Sequence, residues 1–176
     1  MANANELLAA GLSALTAKSI TDNFVAKNEA STVAVGVTQT VAGTLDVTGA
    51  FKTASEIVTA TNVITAAESG KTFFLNNTTG FASTLPAPAI GLHYKFVLMA
   101  APASGNTTVG TNAAAAIIEG NLMVASTVVP AVNERSINFL VTDSDIGDWC
   151  EVISDGTSWF LRGSATTTAG MSVTAA

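Results

Sequence analysis

Charge is the scarcest property of this chain. Lys and Arg number seven and Asp and Glu thirteen in 176 residues, so 11% of the chain is charged, against roughly a quarter in soluble domains generally. The cations stand singly. There is no basic stripe for nucleic-acid phosphates and no polybasic segment for a membrane surface. Cysteine occurs once, as Cys150, which excludes an intrachain disulfide and fits a reducing compartment. Histidine occurs once, as His93, too few ligands for zinc within one chain. Long uninterrupted apolar runs are also missing. The uncharged stretch between Lys95 and Glu119 contains Pro102, Gly105, Asn106, Gly110 and Asn112, which rules out a spanning helix. Met1 to Ser19 has leucines but no early Lys or Arg, and reads as a poor secretory signal.

What is present is Ala, Thr, Val and Gly. The chain is 48% hydrophobic with a net charge of −6, yet Ala buries little area and contributes little core per residue. A weakly charged chain of small residues suits a protomer that hides surface in an assembly.

The pattern along the chain is mostly of period two. The exception is the start, where Asn5 caps an expected short helix from about Glu6 to Lys18, with Leu8, Leu12 and Leu15 on one face. Thr21 to Ser31 reads as a linker. Val33, Val35, Val37, Leu45 and Val47 then alternate with small residues, punctuated by Gly36, Gly43 and Gly49. These strands are too thin to stand alone and need the main domain or sister chains. Residues 1–55 are therefore expected to form an assembly arm. Residues 56–176 read as many short strands, Ile57 to Ala66, Thr72 to Asn76, His93 to Met99, Ala116 to Glu119, Leu122 to Ala125, Ser136 to Thr142, Trp149 to Ser154 and Thr157 to Arg162, with turn signals between them, the pattern of a sandwich or barrel. The expected fold is mainly β: an antiparallel sandwich or barrel-like domain with an extended N-terminal arm carrying a short helix. Leu92, Tyr94, Phe96 and Leu98 share a face of one strand and should be core. Gly120-Asn121 reads as a turn.

The sharpest local signal is Trp149 to Gly163. Asp155-Gly156 between two runs of β-branched and aromatic residues predicts a hairpin with a two-residue type I′ turn. That register pairs Ser154 with Thr157, Val152 with Trp159, Cys150 with Leu161 and Trp149 with Arg162. Cys150, Val152, Trp159 and Leu161 then form an apolar core face. Trp149, Glu151, Ile153, Phe160 and Arg162 form a mixed face, the composition of a subunit interface, with one cation–π contact as the alternative.

Several motifs suggest chemistry and fail. Ser69-Gly70-Lys71-Thr72 ends like a phosphate-binding loop, but the leading glycine position holds Thr65 and strand-like residues follow where a helix is required. Asp143, Asp145, Asp148 and Glu151 offer oxygen ligands for calcium without the spacing of an EF-hand, and aspartates are common in turns. His93 has no Gly-x-Ser-x-Gly nucleophile to serve, and Cys150 falls on the apolar hairpin face, where a thiol is inert. Glu68, Glu119 and Glu134 supply no inferable carboxylate pair for glycoside hydrolysis. The Asn-x-Thr sequons at Asn76, Asn77 and Asn106 matter only in a secreted chain. No enzyme activity, cofactor or metal is expected.

Three segments resemble a module of tailed-bacteriophage virion proteins: Ala66 to Asn76, Thr84-Leu85-Pro86-Ala87-Pro88 to Val97, and Gly147-Asp148-Trp149 with Asp155-Gly156-Thr157-Ser158-Trp159. The resemblance spans about Ile57 to Gly163. It implies a β-rich homotrimer of the capsid decoration (cement) type, made in the host cytoplasm and carried on the capsid surface against the major capsid protein. The segment Gly43 to Gly49 is similar to intertwined trimeric fibre stalks. It implies the alternative of a tail-fibre or tailspike-associated protein for host attachment, in which Trp149 or Tyr94 stacks on glycans.

Overall fold

The computed structural model describes residues 50, 52–112 and 115–175. The expected helix, linker and Gly-punctuated strands of residues 1–49 lie outside the described residues.

Twelve strands make two sheets: β1 (Ser55–Val58), β2 (Asn62–Val63), β3 (Thr72–Asn76), β4 (Ala82–Thr84), β5 (His93–Ala100), β6 (Thr107–Gly110), β7 (Ile118–Val124), β8 (Thr127–Glu134), β9 (Ser136–Phe139), β10 (Trp149–Ser154), β11 (Trp159–Ala165) and β12 (Met171–Thr174). The larger sheet has seven strands in the order β1-β3-β5-β10-β11-β7-β8 and the smaller has five in the order β12-β9-β6-β4-β2. The fold is mainly β and sandwich-like, as the alternation predicted.

The pairing is mixed, however, not antiparallel throughout. From β1 to β6 the chain visits the two sheets in turn, so β1, β3 and β5 lie parallel in one and β2, β4 and β6 parallel in the other. A parallel pair needs a crossover, and here each crossover contains a strand of the opposite sheet. The remaining strands supply the antiparallel ladders β5–β10, β10–β11, β7–β8, β6–β9 and β9–β12, while β11 and β7 run parallel.

Inward side chains of both sheets fill one core. Tyr94, Phe96 and Leu98 are buried as predicted, with Leu92 at the margin. Phe73 stacks on Phe96 at 5.4 Å, and Tyr94 packs on Trp159 at 5.7 Å. The Tyr94 hydroxyl donates to the Thr65 carbonyl at 3.0 Å, which places the ring inside the domain and removes Tyr94 as a glycan platform.

The segment resembling a phosphate-binding loop is a turn. Residues Ala66–Glu68 form one 3-10 turn, Gly70 adopts φ +87° and donates to the His93 carbonyl, and Thr72 opens β3. The lysine of that segment has a structural partner set: Lys71 Nζ donates to Glu56 at 2.7 Å and Glu68 at 2.8 Å, tying the edge strand β1 to the turn. The Lys71 hydrogen bond holds the Glu68 carboxyl well below its ordinary 4.5, at about 2. Glu68 therefore takes up a proton more readily in the unfolded chain. The stability it contributes is complete above about pH 5 and is lost as pH falls toward the folded value. Thermal unfolding followed from pH 7 to pH 3 should show a falling midpoint, with a shallower fall in Glu68→Gln; an unchanged slope in that variant would remove the tie from the account.

Candidate assembly surface

The hairpin that carries the candidate interface residues is present, with its register moved by two. Ser154 pairs with Trp159, Val152 with Leu161, Glu151 with Arg162 and Trp149 with Ser164. The loop is four residues long because Asp155 does not take the left-handed conformation a type I′ turn requires; only Gly156 does, at φ +101°. The Asp155 carboxylate instead accepts from the N–H groups of Thr157 and Ser158, both at 2.8 Å. A shift of two preserves which side each residue faces. Cys150, Val152, Trp159 and Leu161 are fully inside, and Trp149, Glu151, Ile153, Phe160 and Arg162 all face outward.

Following the register across the seven-stranded sheet arranges its outer face in rows. Ile57, Phe74, Val97, Trp149, Ser164, Met123 and Val128 are successive partners from one edge to the other. Beside them run Thr72, Lys95, Glu151, Arg162 and Asn121. A third row holds His93, Ile153, Phe160 and Glu119. The first row is apolar except for Ser164. Ile57 is 56% exposed, Val128 56% and Phe160 45%, values that a sheet face covered by its own domain does not show. The outer face of the five-stranded sheet is different in kind: its paired outward positions are Ala82, Thr108, Asn138 and Ser172, then Thr84, Gly110, Ser136 and Thr174.

Four of the five candidate residues, Glu151, Ile153, Phe160 and Arg162, converge with His93 on an open cavity of about 300 Å³. Arg162 Nη2 donates to Glu151 Oε1 at 2.7 Å and holds that carboxyl below the usual carboxylate range. His93 Nε2 lies 3.8 Å from Glu151 Oε2. Arg162 remains 77% exposed, so the pair contributes at most about 1 kcal/mol to the fold. Its importance is in what the face can meet. Trp149 lies one row away, and its cation is Lys95, with Nζ 4.9 Å from the ring centroid. The expected neighbour Arg162 is opposite Glu151 because of the register shift.

Of this row the sequence places Val97 on an outer face, opposite the core residues of its strand, but it does not single out Ile57, Phe74, Met123 and Val128. Each is one outward residue on a separate strand, and parallel pairing joins residues too distant in sequence for any local pattern to reveal. Met123 and Val128 alone were within reach of a hairpin argument, since β7 and β8 are joined by a tight turn with Ala125 at φ +53°.

The remaining sequence candidates have structural roles. Asp148 is buried, and its carboxylate accepts from the N–H groups of Asp145 and Thr166, both at 2.9 Å, stapling the turn before β10 to the strand end after β11. Asp145 accepts from the Thr166 hydroxyl at 2.8 Å. Among the described residues no three His, Cys, Asp or Glu side chains are grouped to hold a metal. Burial pushes the Cys150 thiol far up, which makes it inert. Glu68 is bound to Lys71, Glu119 faces outward beside Phe160, and Glu134 is opposite the inward Ile118, so these three carboxylates do not converge. No protein-family model, curated protein or solved structure matches this chain.

Proposed function

We propose that this chain is a non-enzymatic structural subunit that decorates and stabilises a tailed-phage capsid as a homotrimer, meeting the major capsid protein and its own copies. The observation that supports this reading is the outer face of the seven-stranded sheet, which carries large apolar side chains from edge to edge. Burying such a face against other subunits is the main source of favourable free energy for assembly. The polar groups of the domain support it indirectly, since Asp148, Asp155 and Lys71 are committed to turns and edges rather than to a convergent site. A tail-fibre part for host attachment is the second reading. The stacking of β1 to β6 favours it, because coils that add strands to two sheets in turn extend naturally into shafts.

Sedimentation of the purified chain, alone and with undecorated capsids, tests the reading. The wild type should sediment as a trimer and pellet with capsids. Phe160→Asp should remain folded by circular dichroism, since the side chain points outward, but sediment as a monomer. A wild-type chain that stays monomeric at micromolar concentration would overturn the assembly reading. A trimer that pellets with tails rather than capsids would transfer it to the second.

A further inference from the structure

The segment Leu85-Pro86-Ala87-Pro88-Ala89-Ile90-Gly91-Leu92 joins β4 to β5 without a single polar side chain. Connections at a surface are normally built from Gly, Pro, Asn, Asp and Ser, because water meets them. Here Leu85 and Leu92 are buried, but Ala87, Ala89, Ile90 and Gly91 are exposed. Ile90, at 85%, is the most exposed large apolar side chain among the described residues. The segment is also held in place. Its two prolines fix φ. The Gly91 N–H donates to the Ser154 carbonyl at 2.9 Å, the Ser154 N–H to the Leu92 carbonyl at 2.8 Å, and the Leu92 N–H to the Ala89 carbonyl at 3.2 Å. An apolar knob ordered in advance loses little freedom on binding.

A matching socket lies at the same end of the sheet. His93, which opens β5, lines the open cavity of about 300 Å³ with Glu151, Ile153, Phe160 and Arg162. Ile153 and Phe160 are about half exposed, and Glu151 and Arg162 neutralise each other at 2.7 Å. Such a cavity suits an uncharged, apolar occupant. Arg162 spends Nη2 on Glu151 and keeps further N–H donors, while a segment with two prolines offers carbonyls with few N–H groups of its own. Ile90 does not line the cavity of its own chain. We propose that Ile90 of one copy seats in the cavity of a neighbouring copy, against Ile153 and Phe160. This rests on the reading of the outer face as a subunit contact. Val63 and Ile146, the next most exposed, are placed differently: Val63 belongs to the five-stranded sheet, and Ile146 lies between Asp145 and Gly147 in an acidic turn before β10. Every copy carries both knob and socket, so a closed ring of copies fills each socket.

The test is a double-variant cycle read by sedimentation of the full chain over a concentration series. Ile90→Asp should raise the concentration at half-assembly by about tenfold or more, because it carries a charge into an apolar socket. Ile90→Ala and Phe160→Ala should each raise it by about threefold or more. Combined, they should raise it by less than the product of the two single effects, because both remove one contact. Ile90 is exposed in the free chain, so thermal unfolding of the dissociated Ile90 variants should match that of the wild type. Assembly of Ile90→Asp as tight as that of the wild type would overturn the proposal. Independent effects in the combined variant would overturn the seat while leaving the subunit contact of Phe160 intact. Unchanged self-assembly of Ile90→Asp with lost pelleting on undecorated capsids would overturn it in favour of the capsid protein as the partner of Ile90. A wild type that does not assemble at all would overturn the contact and this proposal with it.

Discussion

Trp159→Ala lowers the stability of the folded domain by about 3–5 kcal/mol, the usual result of truncating a large buried aromatic, whereas His93→Ala costs less than about 1 kcal/mol. Trp159 has no exposed surface, lies 5.7 Å from Tyr94, and sits between its partners Ser154 on β10 and Ile118 on β7. Its indole N–H has no hydrogen-bond partner, so the loss is one of packing and of the cavity left behind. The His93 side chain is 45% exposed, and its Nε2 lies 3.8 Å from the Glu151 carboxylate. Chemical unfolding of the two variants measures both numbers. Equal losses would contradict the burial described for the hairpin.

Gly120→Ala is expected to be nearly as damaging, at about 3 kcal/mol or more, because two independent penalties meet there. Gly120 has φ +130°, a conformation that side chains resist. A Cβ at this position would also come within 2.2 Å of the Leu161 carbonyl oxygen. That oxygen belongs to the backbone of the adjoining strand, so it cannot rotate away, and the parallel β7–β11 ladder would have to open. Gly91→Ala provides the comparison. Its φ is +82° but nothing lies within 4 Å of the added carbon, so only the left-handed penalty of about 1–2 kcal/mol applies. Denaturant midpoints of the two variants should differ clearly. If they coincide, the close approach of β7 and β11 is not as described.

The sequence made some of this legible and concealed the rest, for physical reasons. Thr72 to Asn76, His93 to Met99 and Trp149 to Ser154 were read with bounds close to those observed, because long apolar side chains alternate there. The division of the hairpin into core and outer face survived a wrong turn type, since face depends only on parity. Strands β4, β6 and β12 were missed because Ala82-Ser83-Thr84, Thr107-Thr108-Val109-Gly110 and Met171-Ser172-Val173-Thr174 offer little alternation. Strand β8 was missed because Pro130 argues against a strand; at the edge of the sheet its absent N–H goes uncontested. Gly120-Asn121 was read as a turn and is instead an irregularity inside β7, where the register with β8 shifts. The antiparallel expectation failed because strand direction is decided by crossovers between sheets, which leave no mark on residue alternation. The apolar row across the outer face was hidden for the same reason.

The alternation of β1 to β6 between the sheets also bears on how quickly the chain reaches this state. The hairpins β7–β8 and β10–β11 join near neighbours and can close within microseconds. The parallel pairs join Ile57 to Phe74, Phe74 to Val97 and Ile118 to Trp159, and each must close a long loop before any ladder forms. Proteins dominated by such distant contacts fold in milliseconds to seconds rather than microseconds. During that interval the two hairpins would stand with their edges open, waiting for the parallel strands to arrive. In that interval a crowded cell offers neighbouring copies as alternative partners, so yield of the native protomer is governed by the competition between crossover closure and encounter with another chain.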